Sequence, residues 1–158
     1  MNICIVEKSK NELKLMKPFW ILLNSIRFNK SIYFKKDYEE LKFEKRMEII
    51  YEKAQKGKIK FNMLLDNNNG KYIGYSLSSI ENNLGEIESI YIDVKYRRIG
   101  LGGKIMRDAL NWFEVNSITD IQMNVVYANV EALLFYERYG FYIGNYILKR
   151  KSYLNHKS

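Results

Sequence analysis

The chain has 158 residues, of which 47% are hydrophobic and 15% aromatic, and its formal net charge at pH 7 is +8. A chain of this length buries roughly 70% of the surface that its unfolded form exposes, which is enough for one full core. It contains one proline and no serine- or glycine-rich run that would act as a linker, so we predict a single domain over residues 1–158. The single cysteine excludes an internal disulfide bond.

Membrane insertion and secretion are not expected. The longest uninterrupted apolar stretch is residues 19–23, far short of the roughly 20 residues that a membrane-spanning helix needs. The first residues lack the basic start and apolar centre of a signal peptide. We therefore expect a cytoplasmic protein.

The basic excess is uneven along the chain. Residues 1–60 hold 15 basic and 8 acidic residues, residues 61–96 hold 2 and 5, and residues 97–158 hold 9 and 5. The first excess fits a solvated face of N-terminal helices or a surface that binds a polyanion. A nucleic-acid-binding domain is one hypothesis, but no RNP, helix-turn-helix or zinc-finger pattern accompanies the charge.

The first part of the chain reads as a strand followed by helices. Residues 2–6 have the character of a strand, and residues 11–28 carry apolar side chains at helical spacing. Asp37, with Glu40 three residues later, has the pattern of a capping box. The amphipathic helix predicted behind it ends near Gly57.

Antiparallel strands follow, joined by turns of asparagine and glycine, which tolerate positive φ. The predicted strands are residues 59–65, 71–79 and 86–94. After a helix from residue 101, we predict a strand over 118–127, a helix from Asn129 to Arg138, and one or two short strands over 141–151. Antiparallel strands followed by a β-α-β-α-β order predict a mixed α/β (α+β) fold, with helices on both faces of one sheet.

The most informative stretch joins the strand 86–94 to the following helix. A basic turn at residues 95–98 precedes glycines at 100, 102 and 103, and from Leu101 the apolar residues recur at helical intervals. The first N–H groups of a helix have no intrahelical partner and carry the positive end of its dipole, so glycines there let a large anion approach. Because the segment is also basic, we predict a phosphorylated ligand, for which pyrophosphate fits best.

Two familiar phosphate motifs do not fit this turn. A dinucleotide fingerprint needs a third glycine where Ile105 stands. A P-loop needs a glycine at Arg98 and a serine or threonine after Lys104. The pattern Q/R-x-x-G-x-G/A does fit, from Arg97 to Gly102, and it resembles the coenzyme A loop of the GNAT N-acetyltransferase family.

A second segment carries the same resemblance. Residues 129–141 are similar to the pattern N-x-x-A-x-x-F/L-Y-x-x-x-G-F of that family, with Asn129, Ala132, Tyr136, Gly140 and Phe141 in register. It follows the turn at residues 97–104, which we call the glycine turn, at the usual distance of one helix and one strand. The resemblance covers roughly residues 59–150. It implies a mostly antiparallel central sheet, splayed between strands 4 and 5, that binds acetyl-CoA.

The resemblance also implies roles for individual residues. Backbone groups of Ile90, Tyr91 and Ile92 would pair with the pantetheine arm, and the Ile92 amide would donate to the developing oxyanion. The pyrophosphate would lie on the turn formed by Arg97, Arg98, Ile99, Gly100, Leu101, Gly102, Gly103 and Lys104. Asn129 would contact the cofactor near its pantetheine end, and Tyr136 would contact the cofactor and protonate the departing thiolate.

The proton acceptor has two candidates. Glu86 lies eleven residues before Arg97, the spacing of the catalytic glutamate in the histone-acetylating branch, and Glu88 is on the same strand face if no bulge intervenes. Burial would raise the pKa of either carboxyl toward useful values. Asn124 stands where another branch of the family has a glutamate and cannot act as a base, so it is a candidate for binding cofactor or acceptor.

The implied reaction is acetyl transfer from acetyl-CoA to a primary amine of a small molecule or peptide. Acidic residues on the inferred acceptor side hint at a cationic amine; they are Glu81, Glu86, Glu88 and Asp93. The alternative from another class is a coenzyme A-binding sensor without activity. We expect no metal, since His156 stands alone, and the aromatic residues Trp20 and Tyr153 leave a homodimer open.

Overall fold

The computed structural model describes residues 1–151. The strands are β1 (Ile3–Lys8), β2 (Lys58–Asp66), β3 (Lys71–Glu81), β4 (Leu84–Ile92) and β5 (Asp120–Gln122); the α-helices are α1 (Lys17–Lys30), α2 (Lys35–Glu39), α3 (Phe43–Lys56), α4 (Leu101–Val115) and α5 (Val130–Glu137). Two 3-10 helices cover Lys10–Met16 and Val94–Tyr96. The described chain forms two compact units: residues 1–23 with 41–124, which hold the sheet, and residues 24–40 with 125–151.

The first unit is built on one five-stranded sheet of order β1-β2-β3-β4-β5. Neighbouring strands from β1 to β4 are antiparallel, whereas β5 runs parallel to β4 and pairs with it only from Leu84 to Glu86. Within residues 1–151, β4 then continues to Ile92 without a partner strand on that side. This mixed sheet, with β4 and β5 parting after a short contact, confirms the predicted fold class.

Helices cover both faces of this sheet. Leu101 and Ile105 of α4 belong to a buried cluster against which Ile92 of β4 packs. Tyr91 points the other way because side chains alternate along a strand, and its ring lies 6.0 Å from that of Phe19 in α1. The buried side chains of α3 are Phe43, Met47 and Ile50.

The predicted ends of two helices, α3 and α5, are present in the structure. The Asn129 side chain caps α5 by accepting a hydrogen bond from the Ala132 amide at 3.4 Å. Gly140 follows that helix at a φ of +86°, and Gly57 follows α3. These ends are set by local chemistry, a capping oxygen or a backbone conformation that glycine adopts easily.

The predicted capping box at Asp37 is wrong. Asp37 already lies inside α2, where its amide donates to the Phe34 carbonyl at 3.1 Å, whereas a capping residue must have an extended backbone. The long helix α3 begins only at Phe43. A capping box does occur at Ser9, whose amide donates a hydrogen bond to the Glu12 carboxylate at 3.0 Å, and it opens the first 3-10 helix.

The last predicted strands are also wrong in extent. The strand expected over 118–127 is reduced to β5, and none of residues 141–151 is in a strand. Within the second unit, Lys149 of this segment instead binds the Asp37 carboxylate at 3.0 Å and lies over the Phe34 ring. An alternating pattern predicts a strand only where another strand is available to pair with it.

Trp20, one of the two aromatic residues that suggested a homodimer, is a core residue. Its side chain is buried and its ring packs edge-on against Phe43 at 5.5 Å. Tyr153 and His156 lie outside the described residues. Within residues 1–151, no helix combines the length and the apolarity needed to cross a membrane.

Gly57→Ala should destabilise the first unit strongly. A Cβ atom at this position would lie 1.9 Å from the Ile80 carbonyl oxygen, a backbone atom that can move only if β3 moves. We expect a loss of about 3 kcal/mol in the free energy of unfolding, measured with urea. Gly70→Ala is the control, because its φ of +70° costs about 1 kcal/mol but no atom lies within 4 Å of its Cβ. Equal losses for the two variants would contradict this packing.

Candidate functional site

The turn after β4 is shaped by a side-chain cap and by residues with positive φ. The Asp93 carboxylate accepts a hydrogen bond from the Lys95 amide at 3.0 Å and so opens the 3-10 helix Val94–Tyr96. Arg98 and Gly100 then have φ values of +64° and +87°. This backbone path reverses the chain and starts α4 at Leu101.

The start of α4 leaves three backbone amides without a helical acceptor. The amide of Lys104 makes the first helical bond, to the Gly100 carbonyl at 3.2 Å, so the amides of Leu101, Gly102 and Gly103 precede the helical ladder. A Cβ at Gly100 would meet no atom within 4 Å. The Leu101 side chain packs in a buried cluster and therefore anchors the start of the helix. These donors fit a pyrophosphate.

Two of the basic side chains predicted to surround the anion bind backbone carbonyls. Arg97 donates from Nε to the Ile92 carbonyl at 2.8 Å, and its guanidinium lies 5.3 Å from the Tyr91 ring centre. Lys104 donates from Nζ to the Ile3 carbonyl at 3.2 Å. Arg98 and Ile99 are exposed on the turn. Arg97 therefore binds the part of β4 that has parted from β5.

The structure brings Glu86 and Glu88 together around one lysine. Lys53 of α3 places its Nζ 2.7 Å from Glu86 and 2.5 Å from Glu88. A bulge does intervene, because Ile87 and Ser89 pair with consecutive residues of β3 and Glu88 is the extra residue between them. The two carboxylates nevertheless meet at the same ammonium group.

Every carboxylate oxygen of this pair accepts a hydrogen bond. Glu88 receives Arg46 on one oxygen at 2.6 Å and both Lys53 and Ser79 on the other, and its side chain is 0% exposed. Glu86 receives Lys53 on one oxygen and Gln122 of β5 on the other at 3.1 Å. We call Arg46, Lys53, Ser79, Glu86, Glu88 and Gln122 the β4 charge cluster.

The charge cluster keeps Glu86 ionised. Burial raises the pKa of its carboxyl, but hydrogen bonding with Glu88, Lys53 and Gln122 outweighs burial and lowers the pKa from 4.5 to about 2. Burial also disfavours the charged form of Lys53 and by itself lowers its pKa. Hydrogen bonds to the two carboxylates outweigh this effect, so the pKa of Lys53 is raised above its ordinary value of 10.5. The expectation that burial would raise the Glu86 pKa toward neutrality is therefore wrong.

The cluster contains residues that the sequence analysis missed. Arg46 and Lys53 lie seven residues apart, two turns along one face of α3, and both reach Glu88. That spacing is visible in the sequence, but nothing in it says which strand the face meets. Asn124, proposed for binding cofactor or acceptor, is exposed beyond the end of β5.

Two further predicted site residues belong to the second unit. The Asn129 side-chain oxygen is engaged in capping α5. Tyr136 is half-buried, with the rings of Phe135 and Phe141 at 5.1 and 6.4 Å. Burial raises the pKa of the Tyr136 phenol, against the opposing effect of the Arg27 charge, so the phenol keeps its proton at neutral pH. Among residues 1–151, no group of three or more metal-ligating side chains forms a metal site.

Known proteins resemble the chain in sequence pattern and in fold. Residues 27–141 match the model of the Acetyltransferase (GNAT) family. A GNAT acetyltransferase from Staphylococcus aureus MU50 is 17% identical, with a TM-score of 0.67 over 87% of this chain and 81% of that one. AAC(6′)-Iy, solved with the bisubstrate analogue CoA-S-monomethyl-acetylneamine, is 12% identical, with a TM-score of 0.66 over 96% and 99%.

A third solved structure, glucosamine-6-phosphate N-acetyltransferase from Arabidopsis thaliana, is 16% identical, with a TM-score of 0.61 over 96% of this chain and 99% of that one. Likenesses at these identities concern the fold alone. A comparison with curated protein sequences finds no match.

Lys53→Met should destabilise the chain and change its response to acid. Glu88 would lose a cation inside the protein, so we expect a loss of about 3 kcal/mol at pH 7. In the wild type, Glu86 stabilises the fold fully above its ordinary pKa of 4.5 and loses this contribution as the pH falls toward 2. The free energy of unfolding of Lys53→Met, measured with urea, should fall less over that pH range than that of the wild type. Lys56→Met, exposed on the same helix, is the control; two matching pH profiles would contradict the role of Lys53.

Proposed function

Since this chain belongs to the acetyltransferase (GNAT) family, we propose that it is an N-acetyltransferase that moves the acetyl group of acetyl-CoA to a primary amine. The observation that carries the proposal is the coincidence of two features in the first unit. β4 loses its β5 partner after Glu86, and the glycine turn, whose first helical amides have no helical acceptor, follows β4 after one short 3-10 helix. If the pantetheine arm of coenzyme A, a chain of amides, bound along β4, the phosphates of the cofactor would lie at that turn.

The proposed cofactor site uses backbone more than side chains. The amides from Arg98 to Gly103 would hold the pyrophosphate, and backbone groups of Ile90, Tyr91 and Ile92 would pair with the pantetheine arm as an added strand does. Arg97 occupies the Ile92 carbonyl, which leaves the groups nearer Glu86 as the ones such an arm would use. When bound, acetyl-CoA supplies an acetyl thioester.

The Ile92 amide is our choice for the donor to the developing oxyanion, because a fixed backbone N–H needs no reorganisation during reaction. Tyr136 is our choice for the group that protonates the departing thiolate. Its register in the second motif and its retained proton both support this role. Asn129 would bind the cofactor through the part of its amide that does not cap α5.

Glu86, rather than Glu88, is the carboxylate that we propose to meet the acceptor. Its side chain is 14% exposed, whereas that of Glu88 is 0% exposed and would hold Glu86 in place through Lys53. A carboxylate with a pKa of about 2 is a weak base, so Glu86 would act through water or by binding the ammonium form of the amine. Asn124 remains a candidate for contact with the acceptor.

The β4 charge cluster does not indicate which class of amine is the acceptor. Arg46 and Lys53 balance Glu86 and Glu88, and Asp93 is occupied as a cap, so the negative charge that hinted at a cationic acceptor is largely neutralised. The relatives suggest which amines to test first: an aminoglycoside such as neamine, and glucosamine 6-phosphate.

A second candidate function is coenzyme A binding without transfer. The observation that favours it is that all four carboxylate oxygens of Glu86 and Glu88 are already engaged. Such a sensor would bind coenzyme A through the same turn but release no thiol with any amine. Thiol release therefore separates the two functions.

Gly102→Asp should weaken coenzyme A binding without destabilising the fold. Gly102 is the second residue of α4, where a carboxylate interacts favourably with the helix dipole but repels a pyrophosphate. Against Gly102→Asn, which has the same size and no charge, we expect at least about tenfold weaker binding by calorimetry and a melting temperature that is no lower. Equal affinities of the two variants for coenzyme A would contradict a pyrophosphate site at this turn.

Tyr136→Phe should slow amine-dependent thiol release from acetyl-CoA by about tenfold or more, because the leaving thiolate loses a proton donor. The measurement is thiol appearance over a panel of amines that includes neamine, glucosamine 6-phosphate and a lysine peptide. The control, Tyr139→Phe, removes a phenol next to the same ring cluster. Coenzyme A affinity should be unchanged in both. A rate for Tyr136→Phe equal to that of the control would end the assignment.

A further inference from the structure

Tyr96 connects the glycine turn to a distant hairpin. Its hydroxyl donates a hydrogen bond to Oδ2 of Asp66 at 2.8 Å, across 30 residues of sequence. Asp66 is the last residue of β2, and it is 5% exposed. A buried carboxylate of this kind is stable only when its oxygens are hydrogen-bonded.

Asp66 also organises its own turn. Its Oδ1 accepts the Asn68 amide at 3.0 Å, and its backbone carbonyl accepts the amides of Asn69 and Gly70 at 3.3 and 2.8 Å. These bonds fix the carboxylate within the β2–β3 hairpin, so Tyr96 binds a rigid group rather than a mobile surface residue.

Tyr96 lies at the start of the glycine turn and also contacts the residue that begins α4. It is the last residue of the 3-10 helix and directly precedes Arg97. Its side chain also packs on the buried cluster that includes Leu101, the first residue of α4, and Ile73 of β3. Near the other end of the 3-10 helix, the Asp93 amide donates to the Ile73 carbonyl at 2.7 Å.

The glycine turn has few internal hydrogen bonds between Tyr96 and Leu101. Arg98, which is not a glycine, has a positive φ, and such a conformation persists only when the surroundings hold it. The amide of Arg97 makes a long 3.4 Å bond to the Val94 carbonyl. The orientation of the amides at the start of α4 therefore depends on contacts outside the turn.

We propose that the Tyr96–Asp66 hydrogen bond is a positioning contact that holds the glycine turn in the form that receives the pyrophosphate of coenzyme A; this rests on the function proposed above. Tyr96 touches no reacting atom in this assignment. Its pKa is raised by the hydrogen bond to Asp66, against an opposing hydrogen bond with Asn69, so the phenol remains a neutral donor.

The test is coenzyme A binding by calorimetry for wild type, Tyr96→Phe, Asp66→Asn and the double variant. We expect Tyr96→Phe to weaken binding about five- to tenfold, as loss of one positioning hydrogen bond does. The double variant should bind no more weakly than Asp66→Asn, because both single changes break the same bond. Tyr72→Phe, which removes a hydroxyl that bonds Lys8 from the same hairpin, is the control and should bind as the wild type does.

A kinetic split distinguishes positioning from a general loss of structure. Tyr96→Phe should raise the KM for acetyl-CoA by the same factor and leave kcat and the acceptor KM unchanged. Unaltered affinity in Tyr96→Phe, while the wild type binds coenzyme A, would overturn this inference and leave the proposed function standing. A wild type that does not bind coenzyme A would instead overturn the proposed function. If Tyr96→Phe does not fold, the inference is tested with Asp66→Asn alone, by its affinity for coenzyme A and by its KM for acetyl-CoA.

Discussion

The early parting of β4 from β5 is the constraint on which the rest of the candidate site depends. Three residue pairs join the two strands, and beyond them one side of β4 has backbone groups without a partner strand in the part of the chain that the structure describes. Such groups are costly unless water, a side chain or a ligand meets them. Arg97 meets one, the Ile92 carbonyl. A ligand that is itself a chain of amides is suited to meet the others, which is why the edge and the glycine turn form one site in our proposal.

The β4 charge cluster shows two demands in conflict. Buried carboxylates are stable when cations and donors satisfy them, and Lys53, Arg46 and Ser79 do this for Glu88. A general base works best with a pKa near the pH at which it operates. At Glu86 the first demand prevails, since its pKa lies near 2. An amine with a pKa near ~10 would then have to lose its proton through water, with Glu86 stabilising the cation that precedes the loss.

Features of this structure that depend on local sequence were largely predicted. Turns and helix ends such as Asn129 and Gly140 depend on neighbours a few residues away, and the glycine turn was located by its own composition. The partners of Glu88 were not foreseen, because Arg46 and Lys53 lie 42 and 35 residues away and only the packing of α3 brings them to β4. The segment 141–151 failed for the opposite reason: its pattern suits a strand, but pairing requires a second strand that the pattern does not specify.

The glycine turn combines both kinds of information. Its composition is the basis of the phosphate site that we propose, because glycines and free amides at the start of a helix suit an anion. Its shape is a different matter, since the positive φ of Arg98 is unfavourable on its own and the turn has few internal bonds. The hairpin at Asp66 and the buried cluster around Leu101 supply the missing restraint through Tyr96. In our proposal, a short motif thus indicates the ligand, whereas residues remote in sequence hold the motif in the form that binds it.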